Sequence, residues 1–151
     1  MLAVAIPIFA LILLTGYKHY ILNSGIEITL PISGYDPRDL LSGHYLTYQI
    51  DYGVSPMCPE ASSASRDGYV CLTSKSFSYD EPTDCLTFIR GTCRYTRFDA
   101  GIEKFYIPED RAVELDRDVR DHKASVVLSV TGSGTAQVKE LLIDGKSWKQ
   151  P

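Results

Sequence analysis

The chain has 151 residues, 44% of them hydrophobic and 23% charged, with a formal net charge of -4. That length suits one domain with a short appendage, and mild acidity without a basic run argues against a nucleic-acid partner. Ten tyrosines against five phenylalanines and one tryptophan favour β structure or an interaction surface.

The first element is apolar. Residues 2–17, "LAVAIPIFALILLTGY", carry no charge and would span about 24 Å as a helix, a little short of a bilayer core of about 30 Å. Extension to Leu22 closes the gap, because Lys18 can snorkel and Tyr17 and Tyr20 suit the interface. Residues 1–22 therefore read as a transmembrane anchor, with a cleaved signal or a buried helix as rivals. No small-x-small cleavage site follows the apolar run. Lys18 and His19 follow the segment with nothing basic before it, which by the positive-inside rule favours a cytoplasmic body. The clustered, even-numbered cysteines Cys58, Cys71, Cys85 and Cys93 outweigh this, since they read as two disulfides in an oxidising space.

Residues 23–151 form the body. "GIEITLPISGY" (25–35) alternates, with Ile26, Ile28, Leu30 and Ile32 on one face, and Pro31 marks an edge or a strand end. "DPRDLLSG" is a turn that Gly43 closes. A second strand runs over 44–52 with Leu46, Tyr48, Ile50 and Tyr52 on its apolar face, so Tyr48 and Tyr52 are expected in the core with their hydroxyls partnered. Residues 53–67 lack periodicity and read as a surface loop. Strands follow over 68–79, 85–95 and 101–108. "PEDRAVELDRDVRDH" changes to a helical period, with Ala112, Leu115 and Val119 on one stripe. Two alternating runs, "ASVVLSVT" and "TAQVKELLI", close the chain as a hairpin, followed by a turn at Asp144–Gly145. About seven strands and one amphipathic helix make a predominantly antiparallel α+β domain behind the transmembrane helix.

No catalytic, metal or cofactor motif is present: there is no C-x-x-C, H-E-x-x-H, G-x-S-x-G, phosphate loop or dinucleotide fingerprint. The cysteine spacings lack zinc knuckles. Three disulfide pairings are open. Cys58–Cys71 with Cys85–Cys93 is the expected one, because both close short loops. The tentative binding residues are His44, Tyr45, Arg97, Glu103 and Tyr106, drawn from the two densest polar-aromatic stretches. A Ser42–His44–Asp39 triad is disfavoured because neighbours in one turn rarely converge in the required geometry.

The segments "YDPRDLLSGHYLTYQ", "AGIEKFYIPED" and "LLIDGKSW" together resemble a bacterial family of membrane-anchored proteins named for the motif G-D-Y-x-x-L-x-Y. The resemblance spans almost the whole chain. Gly43 and Tyr45 match the motif, whereas His44, Tyr48 and Ile50 stand where it has aspartate, leucine and tyrosine. The alternation survives these exchanges, which assigns the motif a structural role. The resemblance favours an exported, membrane-anchored body and suggests a polytopic membrane protein as partner. The lack of site chemistry together with the anchor points to a non-enzymatic, single-pass inner-membrane protein whose periplasmic body binds a membrane or envelope protein. A hydrolase using His44 or Glu103, and an envelope assembly or filament built through the N-terminal helix, are the alternatives.

Overall fold

The computed structural model describes residues 2–34, 45–55, 57–58, 62–121 and 123–149. Helix α1 (Leu2–Ser24) is continuous through Pro7 and spans about 35 Å. It is apolar on all sides rather than amphipathic, and its described side chains are exposed until Ile21. It is the one helix among the described residues long and apolar enough to cross a membrane, and it runs two residues beyond the expected boundary at 22.

No linker separates α1 from the body. Gly25 alone connects it to β1 (Ile26–Gly34). A Cβ at Gly25 would lie 2.3 Å from Ser129 Oγ and 2.8 Å from the Val130 nitrogen, so only glycine permits this approach. Ser129, fully buried, donates its hydroxyl to the Ile21 carbonyl at 2.7 Å. That bond satisfies one of the last-turn carbonyls a helix end leaves unpaired, and it fixes α1 on the sheet.

The body contains ten strands among the described residues, all paired antiparallel: β1, β2 (Tyr45–Ile50), β3 (Ser62–Cys71), β4 (Ser76–Ser78), β5 (Phe88–Tyr95), β6 (Arg97–Asp99), β7 (Lys104–Tyr106), β8 (Ala124–Val130), β9 (Ala136–Ile143) and β10 (Lys146–Ser147). Between β7 and β8 a 3-10 turn (Glu109–Arg111) leads into α2 (Ala112–Arg120). The fold is α+β, as the sequence indicates. Six strands form one sheet in the order β10-β9-β8-β1-β2-β7, and four form a second, β4-β3-β5-β6. Phe105 of β7 meets Trp148, just past β10, edge to face with ring centroids 6.0 Å apart. The larger sheet thus curls until its two ends approach.

The alternation in β1 survives in the burial: Ile28 and Leu30 are half-buried and Ile32 buried, while Ile26 is exposed. Pro31 is not on an outer strand but sits where β1 changes partners. Residues 26–31 pair with β8 and residues 32–34 with β2. The Pro31 carbonyl accepts from Asp51 N at 2.9 Å, so its missing N–H faces the side where the β2 ladder ends.

Leu46, Tyr48, Ile50 and Tyr52 are all buried, as expected, in one core with Val126, Leu128 and Leu141 of the large sheet and Val70, Ile89 and Phe98 of the small one. Leu115 and Val119 of α2 join it. The side chain of Ala112 lies outside the described residues.

Three expectations need correction. The supposed loop 53–67 contains the first six residues of β3, whose pairing with β5 supplies the order its composition lacks. The run 68–79 is not one strand but the β3–β4 hairpin, with Lys75 at φ 50 in its turn. The disulfides are Cys58–Cys93 and Cys71–Cys85, with Cα atoms 5.7 and 6.0 Å apart, rather than the short-loop pairs. Register explains this. Cys71 stands opposite Phe88, and Cys93 opposite Arg66, so the two cysteines occupy opposite ends of the β3–β5 ladder. The extended chain of β5 holds Phe88 and Cys93 about 16 Å apart, at about 3.3 Å per residue, and Cys85 is bridged to Cys71 beside Phe88, so Cys85 and Cys93 lie beyond a bridging limit near 7 Å.

Candidate functional site

β5 turns Ile89 and Cys93 inward and Arg90, Thr92 and Arg94 outward. Register places Asp67 and Asp99 on either side of Thr92, and Arg97 directly opposite Arg94. Inward, the space over Gly91 is filled by Phe98, whose ring would lie 2.5 Å from any Cβ there. The outer face of the small sheet is therefore a charged, side-chain-rich surface backed by a tightly packed layer.

Two loops wall this face. The β8–β9 turn docks through the Gly134 carbonyl, which accepts from Arg90 N at 2.8 Å, and it brings up Thr135 and Ala136. The 99–103 loop, which joins β6 to β7, brings up Ala100 and Gly101. Together they enclose an open cavity of about 920 Å³ lined also by Ser65, Asp67, Arg90, Thr92, Arg94, Tyr95, Arg97 and Asp99. Arg90 donates to Asp67 Oδ2 at 3.0 Å, with both side chains more than half exposed. Such an exposed pair contributes about 0–1 kcal/mol, so it positions rather than stabilises.

The strands β5 and β6 are joined by the two-residue turn Tyr95–Thr96. Tyr95 has φ 56, a region that non-glycine residues enter rarely and at a cost. Its ring is exposed. A second, shallower groove adjoins the cavity, sharing Gly101, Thr135 and Ala136 and continuing past Lys104, Tyr106 and Gln137 to Lys18 on α1.

The expected binding residues fall in different places. Arg97 lines the cavity. Tyr106 is highly exposed and lines the adjoining groove, and Tyr45 is its cross-strand partner in β2. The side chain of Tyr45 and all of His44 lie outside the described residues, as do Asp39 and Ser42.

Glu103 turns inward, away from both clefts. Its carboxylate accepts from Ala100 N at 2.7 Å and from Ile102 N at 2.8 Å. The Ile102 carbonyl in turn accepts from the Tyr48 hydroxyl at 2.7 Å, and the Glu103 carbonyl accepts from Tyr48 N at 3.1 Å. Glu103 therefore organises the loop between the sheets. Burial raises its pKa, the Ala100 N–H lowers it, and Asp99 raises it through a side-chain hydrogen bond and its charge. Burial, reinforced by Glu103, also pushes the Tyr48 and Tyr52 phenols well above their ordinary value. Tyr52 departs from the partnered hydroxyl expected of it: among the described residues its buried hydroxyl has no hydrogen-bond partner.

Sequence reasoning missed Arg90, Thr92, Arg94 and Tyr95. The signal was present in "FIRGTCRYTR", where the polar residues alternate and then flank a two-residue turn.

Of the motif positions that depart from G-D-Y-x-x-L-x-Y, the two among the described residues are structural. Tyr48 and Ile50, which replace its leucine and final tyrosine, are buried on the inner face of β2. No curated protein and no solved structure matches the chain. A family model described as "GDYXXLXY protein" matches residues 7–141, from the apolar helix into β9, and the chain belongs to the GDYXXLXY family.

Proposed function

We propose that the protein is a single-pass inner-membrane protein with its β domain in the periplasm, and that it acts by binding a membrane or envelope protein rather than by catalysis. The observation that carries this reading is the junction at Ile21–Gly25. An all-round apolar helix is fixed to the sheet by the Ser129–Ile21 hydrogen bond and the glycine contact, without a flexible tether. A linker would suit a domain that searches for soluble ligands; a rigid junction suits one whose orientation to a membrane partner is set. The two disulfides support an oxidising compartment. The exposed tyrosines Tyr17, Tyr20 and Tyr106 are of the residue type enriched at interfaces.

Photo-crosslinking from native membranes tests the reading. A photoreactive residue at Ile12 or Tyr106 is expected to give one discrete adduct with another membrane protein. A ladder of self-adducts would instead support an assembly subunit. Release of the chain by alkaline carbonate would refute the anchor, and four free thiols in chain isolated under thiol block would refute the periplasmic body.

A further inference from the structure

On the footing of the membrane-partner function proposed above, we propose that the partner docks a transmembrane helix of its own on one face of α1, centred on Gly16 and His19, and that this helix brings an acidic side chain to His19. Direction is the first observation. Ile21 is buried where α1 meets the sheet, its carbonyl held by Ser129. Ile12 precedes it by about two and a half turns, at about 3.6 residues per turn, and so lies on the side of the helix away from the body. On that side runs a shallow groove lined by Ile8, Leu11, Ile12, Thr15, Gly16 and His19.

Shape is the second observation. A Cβ at Gly16 would meet no neighbouring side chain within 4 Å among the described residues, so packing within the chain does not demand glycine there, in contrast to Gly25. Glycine weakens a helix interior. In membranes, small residues mark the places where two helix backbones approach.

Polarity is the third observation, and it identifies the occupant. Thr15, His19 and Asn23 stand four residues apart in α1 and form one ridge beside Gly16. Thr15 is satisfied within the helix, donating to the Leu11 carbonyl at 2.8 Å. Asn23 Nδ2 lies 3.0 Å from both the His19 carbonyl oxygen and His19 Nε2. A carbonyl only accepts, so the group facing it is the Asn23 amide nitrogen, whose second hydrogen goes to Nε2. The neutral imidazole therefore carries its proton on Nδ1. That N–H is a donor on an exposed side chain inside the Ala5–Ser24 span, where lipid tails offer no acceptor. A carboxylate is its complement and also suits the charge of neighbouring Lys18. A second copy of the chain does not bring one to this level: α1 has no aspartate or glutamate, and Glu27, the first acid after it, is paired with Lys139.

The test is a photo-crosslinking scan of the full-length chain in native membranes, with the photoreactive residue at Leu11 or Ile12 on the docking face and at Ile6 or Ala10 on the opposite one. Adducts with another membrane protein are expected from Leu11 and Ile12, and about tenfold fewer from Ile6 and Ala10. With the probe at Ile12, Gly16→Leu and His19→Leu should each lower the adduct by about three- to tenfold, the range of a single helix–helix contact in membranes. His19→Gln keeps a donor and should recover part of the loss. Both positions are exposed on α1, so the variants should resist carbonate extraction and melt like the wild type. In His19→Lys, a carbodiimide should couple the introduced amine to the same protein, in excess of the coupling that Lys18 gives in the wild type; no excess would overturn the acidic group. Equal adducts from the two faces, or undiminished adducts in both Gly16→Leu and His19→Leu, would overturn the docking face and leave the membrane partner standing. Adducts of the chain with itself would replace the partner helix by a second copy. No adduct from α1 or from Tyr106 would overturn the partner-binding function as well.

Discussion

The two sheets of the body are held together differently. The large sheet is built from alternating apolar strands, and Tyr48, Val126, Leu128 and Leu141 within it are almost wholly excluded from solvent. The small sheet offers fewer such side chains, chiefly Val70 and Ile89, and its outer face is charged. Both disulfides lie in or beside it: Cys58–Cys93 ties Cys58 to the C-terminal part of β5, and Cys71–Cys85 clamps the end of β3 to the segment entering β5. Burial scales with apolar area, so a sheet that commits one face to arginines and aspartates has less of it to spend on cohesion. Covalent bonds supply the remainder, and the charged face is left available for binding.

The difference can be broken from either side. The largest effect is expected in the large sheet: Tyr48→Ala removes a fully buried ring and its hydroxyl bond to Ile102, at a cost of about 3–5 kcal/mol. Chemical denaturation with and without reductant should show the same loss, because that cost does not involve the disulfides. For the small sheet, the chain-entropy model applied to sequence separations of 35 and 14 gives about 4 and 3 kcal/mol for the two bridges. Removal of Cys58–Cys93 by paired serine substitution should therefore cost more than removal of Cys71–Cys85. Hydrogen exchange of either variant should show the β3 and β5 amides opening before those of β8 and β9. Simultaneous opening of all four strands would mean that the sheets are one cooperative unit, and the contrast drawn above would fail.

A finer contrast lies within β2 and the residues just after it. Tyr48 and Tyr52 are both buried, but only Tyr48 has a hydroxyl partner among the described residues. Tyr48→Phe leaves the Ile102 carbonyl without that donor and should cost about 1–3 kcal/mol. Tyr52→Phe removes a buried unsatisfied group and should be neutral or stabilising. Equal losses in the two variants would show that the Tyr52 hydroxyl is hydrogen-bonded as well as that of Tyr48.

The sequence was most legible where one face of an element is apolar and the other wet. The alternation in β1, β2, β8 and β9 and the Leu115–Val119 stripe in α2 announced their elements, and the apolar run of α1 did the same. β3 was invisible over "SSASRD" because its order comes from pairing with β5, twenty or more residues away, and not from its own pattern. The disulfide pairing was readable in part: "CLTFIRGTCRY" as one strand already holds Cys85 and Cys93 too far apart to bond. Within the candidate site, Arg97 was recognisable from its local polar cluster. Arg90, Arg94 and Thr135 were not, because a two-strand register and the distant β8–β9 turn assemble them. Glu103 was read as a binding residue, but its carboxylate turns inward onto Ala100 N and Ile102 N, a direction that depends on the 99–103 backbone, which no periodicity encodes.

The smallest expected effect lies at the loop that joins the two sheets, and it is resolved by pH. Glu103 has its pKa raised above the ordinary 4.5 by burial, opposed by the Ala100 N–H and reinforced by Asp99. The folded state therefore holds this proton more tightly than the unfolded chain does. Between 4.5 and the raised value the native state binds more protons, so stability falls as pH rises through that window. The favourable contribution is complete below 4.5 and is lost once the folded carboxyl ionises. Glu103→Gln abolishes the titration while keeping an acceptor for one of the two N–H groups, so it imposes a constant loss and no slope. The stability difference, wild type minus Glu103→Gln, should thus be greatest near pH 4.5 and shrink toward neutrality. Asp99→Asn should reduce the slope by removing the neighbouring charge that helps raise Glu103. Denaturant midpoints of the three proteins across this range measure it. A difference that stays flat, or grows with pH, would show that the backbone N–H donors dominate and that Glu103 is a stabilised carboxylate instead of a strained one.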